Sequence, residues 1–508
     1  MDIFERARIR SPFISSIIKF QRGYLYPFVF AVLCAVSASF GKDVYIPCIA
    51  TLCILTAFAG LFSSDLIVFV APAFMIYYSI GADKPSDYYE NYYRADYHEL
   101  FSDVRSVPTF DRGSRIYFVA WLCILFAILV YKLIHSGVLK EMLTERGVFF
   151  YSIMAIDAAL ILNGIGGGEW QVASALYGLL CAFVLTVCYC MFYVILKRTH
   201  RASTYACIAL VATAFCVLLQ VLITLVRLQH YDMLINHRFA SYAMINRHLF
   251  SCAWGLVTIV AAVIACGIPA SFFLARNNKA PVFFFLLSIL FYGSAFLVAT
   301  RSAMLFGGAS FLVGIICSLR GKNKRKNLAM TLFLLLLGLL AVLSGAVLLS
   351  RLPEEQKKEV IGDLLRTFRV KFKLDGEVLK NLLGARYDIW ARGIRDFLRA
   401  PVLGVGFVTA DGELNRVYDH MYHNVAIEFI GAMGSVGGVA FLFHIFCIFR
   451  ETVRKACASK LILMCVPLLI LAMSLLDNFF FYPNFSIIYG AFLACAELYG
   501  KQSEKQIE

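Results

Sequence analysis

One histidine and two arginines stand out because of their positions beside long apolar runs. His423 lies at the predicted start of a helix, where the helix dipole favours a neutral imidazole that can accept a proton. Arg386 lies on the apolar stripe of a predicted helix, between Leu383 and Trp390, and Arg301 lies in a hinge between two apolar runs. Guanidinium groups bind phosphates in a forked geometry. These residue types predict a base and an anion clamp.

Each of these residues also has a simpler structural interpretation. Arg386 could extend its charge to water while its stem packs on the membrane, Arg301 could anchor an interface, and His423 could serve only as a hydrogen-bonding residue. Glu428 and Asp157 lie inside apolar runs, where an ionisable group is functional by default. For Asp157 we favour helix-to-helix hydrogen bonding. Glu428 lies about one turn after His423, so we expect it to orient polar groups in the same cavity.

The composition indicates which elements must position these residues. Of 508 residues, 60% are apolar and 16% are charged, whereas soluble domains carry about 25% charged residues. The mean hydropathy of +0.75 excludes a soluble enzyme. The sequence therefore predicts an all-α, polytopic bundle of about 12 to 14 transmembrane helices. Apolar runs long enough to cross or nearly cross the bilayer lie at 25–41, 44–62, 66–82, 116–134, 148–166, 172–196, 205–226, 250–275, 281–300, 303–319, 328–350, 424–449, 461–477 and 487–499.

The distribution of Lys and Arg predicts the orientation of the bundle. The basic runs 197–201, 320–326 and 450–460 all fall on one side, which the positive-inside rule identifies as the cytoplasm. We therefore expect a multi-pass protein of the bacterial cytoplasmic (inner) membrane with both termini in the cytoplasm. Residues 1–23 are typical of a cytoplasmic lead-in and not of a removable signal peptide. The 16 cysteines are scattered through apolar segments and favour packing over disulfides or zinc.

A large polar connection at 351–422 is predicted to lie outside the cytoplasm. Its apolar residues follow helical spacing in two places, which predicts amphipathic helices on the membrane surface. The apolar stripe of the second helix comprises Leu379, Leu382, Leu383, Trp390, Ile394 and Phe397. The second helix should end at Ala400, because Pro401 disfavours helix in the residue before it. Arg392 is expected on the face opposite the apolar stripe, towards solvent. A second connection, 83–115, is rich in tyrosine and acidic residues.

Two motifs are absent from the sequence. The outer connections contain no Asp-x-Asp pair, and the chain contains no Gly-x-x-x-x-Gly-Lys-Ser/Thr phosphate loop. The first absence weakens the case for a metal-dependent glycosyltransferase, and the second weakens the case for an ATP-driven pump.

The stretch from 286 to 448 resembles the O-antigen ligase and polymerase family of bacterial envelope enzymes. The most specific element is His423-Asn424, followed after nine residues by Gly434-Ser435-Val436-Gly437. Three weaker elements match in the family's order, although Thr300 stands where the family usually has Ser: Thr300-Arg301-Ser302, Arg386-Tyr387-Asp388-Ile389-Trp390 and Pro401-Val402-Leu403-Gly404-Val405-Gly406-Phe407.

The resemblance implies transfer of a polyprenyl-diphosphate-linked glycan to an acceptor hydroxyl on the outer face of the membrane. Such enzymes invert the anomeric carbon and need no metal, nucleotide or other cofactor. Carried over to this chain, His423 is the base on the acceptor hydroxyl, and Arg301 and Arg386 hold the diphosphate. The predicted substrate-binding set comprises Arg301, Arg386, Asn424, Glu428 and Trp390.

The resemblance also suggests an organisation and a set of partners. Residues 286–448 form the predicted catalytic region, between N-terminal membrane helices in 1–285 and C-terminal helices with a short cytoplasmic tail in 449–508. The expected partners are the lipid-linked donor, a glycan or lipid-glycan acceptor, the lipid bilayer and other polysaccharide-assembly membrane proteins, but no nucleic acid.

Two other function classes compete with glycan transfer. A transporter or flippase of the same lipid-linked oligosaccharide would need a polar path across the bilayer, and the intramembrane ionisable residues are few. A non-catalytic scaffold would leave the outer histidine and arginines unexplained. Within the transferase class, the sequence does not separate a surface-polysaccharide polymerase from a ligase, because the two differ in acceptor and not in chemistry. We favour the polymerase, which needs no special acceptor.

Overall fold

The structure of the protein is a computed structural model that describes most of the chain. The described residues are 11–38, 42–62, 66–79, 112–165, 171–199, 202–227, 257–277, 280–297, 300–319, 385–410, 417–419, 422–454 and 457–504. The predicted span 328–350, the first predicted surface helix and the tyrosine-rich connection 83–115 lie outside them.

Most of the long apolar runs form helices, because a backbone inside a bilayer must satisfy its own hydrogen bonds. In chain order, the described helices before the family-like region are α1 Pro12–Gln21, α2 Leu25–Ala38, α3 Lys42–Phe62, α4 Val70–Ser79, α5 Arg112–His135, α6 Val138–Thr144, α7 Phe150–Leu162, α8 Gln171–Arg198, α9 Ala202–Arg227 and α10 Val257–Asn277.

The remaining helices include those that carry the predicted site. They are α11 Pro281–Leu297, α12 Arg301–Leu319, α13 Ala385–Arg399, α14 Val425–Val453, α15 Ala458–Ser474 and α16 Pro483–Glu504. Among the described residues the only strands are β1 (Val408–Ala410) and β2 (Val417–Asp419), which form a short antiparallel hairpin with Thr409 opposite Tyr418.

The prediction of an all-α, multi-pass membrane protein is confirmed. Within the described part of the chain, helices α8, α9, α10, α12 and α14 are each long and apolar enough to cross a bilayer. Seven shorter apolar helical segments accompany them. The run 66–82 differs from the single span that its hydropathy predicts. It forms a 3₁₀ turn, Leu66–Phe69, followed by the ten-residue helix α4.

Buried polar contacts join four helices of the bundle. The Tyr189 hydroxyl of α8 donates to Glu497 of α16 at 2.7 Å. The ring of His444 in α14 is fully buried, with Nδ1 2.8 Å from the Ser152 hydroxyl of α7 and Nε2 2.6 Å from the Tyr489 hydroxyl of α16. Because unpaired polar groups are costly in such surroundings, these contacts fix the position of α14 along its neighbours. The predicted site lies at the start of α14.

Candidate functional site

His423 lies in the tight turn that leads into α14. Its backbone φ is +49°, in the left-handed region that residues other than glycine seldom occupy. The Asn424 side chain caps α14 by accepting two backbone N–H groups of the first turn, at 3.0 and 3.2 Å. The buried Glu428 carboxylate accepts the N–H of Tyr422 at 2.9 Å. These two side chains hold the turn on both sides of His423, and they fix the direction of its side chain.

Asn424 and Glu428 make contacts within the fold, and the substrate contacts predicted for them stay a prediction. Both side chains are buried, at 8% and 1% exposure. The Asn424 carboxamide and the Glu428 carboxyl group accept backbone N–H groups that would otherwise have no partner at the start of the helix. The structure gives both residues a positioning role. Asn424 follows His423 directly, and Glu428 lies one turn later in α14.

Asp477 is the residue at this site that the sequence interpretation missed. It follows α15, and its Oδ1 lies 3.2 Å from His423 Nδ1. Its side chain is 7% exposed, whereas that of His423 is 40% exposed. The signal in the sequence was a lone acidic residue at the end of the apolar run 461–477. It belongs to the C-terminal helices and not to the region 286–448, so the site draws on two parts of the chain.

Asp477 is ionised although it is buried. Burial alone would raise the pKa of Asp477, but the hydrogen bond and charge of His423 and the N–H of Asn478 outweigh burial and lower it below its usual value. The hydroxyl of Thr258, in the first turn of α10, contributes to the same lowering. An ionised carboxylate at Nδ1 favours the tautomer in which Nδ1 carries the proton and Nε2 presents its lone pair.

Tyr422 connects the His423 turn to α13. Its hydroxyl donates to Asp396 Oδ2 at 2.8 Å, and the guanidinium of Arg392 lies 5.8 Å from the centre of its ring. Burial, followed by the charge and hydrogen bond of Asp396, raises the pKa of Tyr422 well above its usual range. It therefore remains a neutral phenol. Arg392 was predicted to face solvent, but it is half-buried against Tyr422, because the packed face of α13 is centred on Gly393 and not on the predicted apolar stripe.

The packing of α13 on α14 depends on Gly393. A Cβ at this position would lie 2.4 Å from the Ile427 side chain and 2.8 Å from the Tyr422 ring. Arg386 and Trp390 lie on the same side of α13 as Gly393, two turns and one turn before it, respectively. Both are half-buried. The indole Nε1 of Trp390 is buried and has no hydrogen-bond acceptor among the residues that the structure describes.

Backbone hydrogen bonds join the two glycine-containing motifs of the sequence, 401–407 and 434–437, at a break in α14. α14 is broken at Gly434, whose φ of +62° and ψ of −156° are not helical. The segment 401–406 fills the break. The N–H groups of Val405 and Gly406 donate to the carbonyls of Gly431 and Ala432, at 3.1 and 2.9 Å. The N–H groups after the break are satisfied in the same way, because Ser435 and Val436 donate to carbonyls of 401–402 at 2.8 and 3.2 Å.

Glycine is required at the break for two reasons. The positive φ of Gly434 strains any residue with a side chain. A Cβ at Gly434 would also lie 2.4 Å from the carbonyl oxygen of Val402, and one at Gly404 would lie 2.2 Å from the carbonyl of Ala432. The segment after α13 is thus fixed to α14 by backbone contacts. These contacts set the position of α13, which carries Arg386, relative to the turn that carries His423.

The two remaining predicted residues are Arg301 and Asp157. Arg301 begins α12, and the preceding Thr300 is buried; the position of the Arg301 side chain lies outside what the structure describes, so its role stays a prediction. Asp157 is buried in α7 and accepts a hydrogen bond from the Thr186 hydroxyl of α8, which agrees with the helix-to-helix bond that we favoured. Among the described residues, no group of three or more His, Cys, Asp or Glu could hold a metal ion.

The fold and the site define a multi-pass helical membrane protein with a histidine–carboxylate pair at the start of the broken helix α14. Residues 282–442 match the family model described as O-antigen ligase. The family resemblance predicted from the motifs is therefore confirmed over this part of the chain, which includes His423 and the Gly434 break but not Asp477. No curated protein and no solved structure matches the chain.

Proposed function

We propose that this protein transfers a glycan from a polyprenyl-diphosphate carrier to an acceptor hydroxyl on the outer face of the cytoplasmic membrane. The reaction inverts the anomeric carbon and needs no metal. The observation that carries the proposal is the pairing of His423 with the buried, ionised Asp477, within a site whose sequence matches the O-antigen ligase model on the His423 side.

His423 acts as the general base. With its proton on Nδ1 held by Asp477, the Nε2 lone pair accepts the proton of the acceptor hydroxyl. The oxygen forms a bond to the anomeric carbon, while the bond from that carbon to the diphosphate oxygen breaks and its electron pair leaves with the diphosphate. A positioned base of this kind contributes about 10²–10⁴-fold to the rate. The left-handed backbone of His423 is a strained feature that is retained where function requires it.

The arginines stabilise the leaving group. Arg386 lies on the packed face of α13, half-buried, where a guanidinium interacts with phosphate more strongly than it does in water. Arg301 is assigned the same role from its place at the start of α12. The Nε1–H of Trp390, one turn from Arg386, has no acceptor among the described residues and supplies a donor to the diphosphate or to the first sugar. Stabilisation of the leaving charge is the largest contribution to catalysis at such sites.

The partners follow from this chemistry. The donor is a lipid-linked oligosaccharide in the outer leaflet, and the acceptor is a second glycan or a lipid-linked glycan. We favour a surface-polysaccharide polymerase over a ligase, because a polymerase uses the same class of molecule as donor and acceptor. Other membrane proteins of polysaccharide assembly would supply the donor at the outer face.

The direct test uses purified full-length protein in lipid nanodiscs with a polyprenyl-diphosphate oligosaccharide, with and without chelator. We expect a ladder of longer glycans and released polyprenyl diphosphate, in equal yield in both samples. A single addition onto a different acceptor would identify a ligase. In parallel, the protein is reconstituted in sealed vesicles, where movement of the donor across the bilayer without any new glycosidic bond would contradict the proposal and support the transporter. The matched control is His423→Gln.

A further inference from the structure

The exposed surface of α13 divides into two different faces. Tyr387, Ile394 and Leu398 are 37%, 49% and 71% exposed, and their spacing of seven and four residues places them on one side of the helix. Asp388, Arg395 and Arg399 are also exposed, and they lie about a quarter of a turn further around. The remaining side of α13, centred on Gly393, packs on α14. The helix thus has a protein-facing side, an exposed apolar side and an exposed charged side.

The apolar side continues onto a membrane-spanning surface. Val402, just after the helix, is 61% exposed, and its carbonyl accepts the N–H of Val436 in α14. One turn further along α14, Val439 begins a row of exposed apolar side chains at helical spacing. The members of this row are Val439, Leu442, Phe446 and Phe449, which are 66%, 67%, 59% and 66% exposed. The exposed apolar side of α13 is therefore joined through Val402 to a face of a spanning helix.

We infer that the face formed by Tyr387, Ile394, Leu398 and Val402 is inserted into the outer leaflet among phospholipid acyl chains. Arg395 and Arg399 then lie at the level of the lipid phosphates, which suits their charge. This arrangement goes beyond the proposed function and rests on it only for the assignment of α13 to the outer side of the membrane. Because α13 also carries Arg386, insertion of its apolar face determines how deep Arg386 lies in the bilayer. Insertion sets Arg386 at the depth of a diphosphate attached to a lipid chain.

The inference differs from the surface helix that the sequence predicts. The apolar stripe predicted to face the membrane includes Trp390 and Phe397, which are half-buried on the protein side. Of the stripe members that the structure describes, Ile394 is the exposed one. The lipid-facing side is thus rotated around α13 from the predicted one, and the side with Trp390 remains within the site.

The test places a fluorescent amino acid singly at Ile394, Leu398 or Arg395 of the full-length protein. The variants are reconstituted in nanodiscs of phosphatidylcholine and phosphatidylglycerol, with and without bromine on the acyl chains. We expect blue-shifted emission that brominated lipid quenches at Ile394 and Leu398, and water-like, unquenched emission at Arg395. Phe285, which is 2% exposed and packs against Phe272, is the buried control that brominated lipid should not quench.

Two outcomes would overturn the inference. Water-like emission at Ile394 and Leu398 would place the face in solvent. Blue-shifted emission without quenching by brominated lipid would mean that protein covers it, either another segment of this chain or a second copy. Because the readout does not depend on transfer, it can fail while the proposed activity holds, and the activity can fail while the insertion holds.

Discussion

Replacing Asp477 with Asn tests whether a residue outside the family-matched region acts through His423. The carboxylate lies 3.2 Å from Nδ1 and is 7% exposed, so water cannot readily take its place. Asn cannot hold the charge that favours a proton on Nδ1, and its amide can reverse the direction of the hydrogen bond. Most of the benefit of the base should be lost, which is about 10²–10⁴-fold in the rate of transfer. Donor binding should not change.

The fold should tolerate this substitution. Asn can still accept the N–H of Asn478, and removing a buried charge offsets part of the lost hydrogen bond, so we expect stability to change by about 1 kcal/mol. The pKa of Asp477 is lowered in the folded protein. Its ionised form therefore stabilises the fold above the usual pKa of an aspartic acid, and this contribution is lost as pH falls through the lower folded pKa. In Asp477→Asn that acid-side loss should disappear from thermal unfolding curves.

The assay compares single-turnover transfer in a double-mutant cycle. Rates are measured for wild type, His423→Gln, Asp477→Asn and the double variant, with exposed Asp388→Asn as the control. Residues that act as one unit are not additive, so the double variant should be no slower than His423→Gln alone. Multiplied losses in the double variant, or wild-type activity in Asp477→Asn, would refute the coupling.

Three further predictions concern the clamp, the helix break and the topology. Arg386→Lys should lose about 10²–10³-fold in transfer, equivalent to about 2.7–4 kcal/mol, because Lys cannot make the forked contact. Steady-state kinetics measures the loss, and an equal loss in the exposed Arg395→Lys would contradict this prediction. Gly434→Ala should abolish transfer and lower the thermal stability of the purified protein, because its Cβ would collide with Val402. The control Gly293→Ala, whose Cβ would meet nothing within 4 Å, should keep both. A cysteine at Gln356 should react with an impermeant maleimide in cells with a permeabilised outer membrane, and reaction only after lysis would reverse the orientation.

The sequence predicted the helical class because membrane spans follow from local composition. Runs of apolar residues are self-contained signals, since each helix satisfies its own backbone. The start of α14 was predicted to within one residue for the same reason, and its His423 turn was marked by a polar pair before an apolar run. The break at Gly434 was not predicted. The apolar pattern of 424–449 is continuous, and the break depends on backbone groups from 401–406 that lie far away in sequence.

The parts of the site that were not predicted depend on contacts between distant segments. Asp477 meets His423 only because α15 returns the chain to the side where α14 begins, and nothing local in 461–477 specifies that meeting. Arg392 was placed towards solvent by the apolar stripe of its helix. The real contact side of α13 is set by Gly393, a residue whose small size permits close packing but gives no hydrophobic signal.

The central claim is that His423 is the base, and its most direct test is the His423→Gln variant. Donor binding and single-turnover transfer should be measured on the same full-length sample across pH. Because a base must be unprotonated to accept a proton, wild-type transfer should fall as the solution is made acidic. The Gln variant should bind donor as tightly as wild type but transfer at least about 10²-fold more slowly, without that fall. A Gln variant that transfers within a few-fold of wild type, with the same pH profile, would contradict the account.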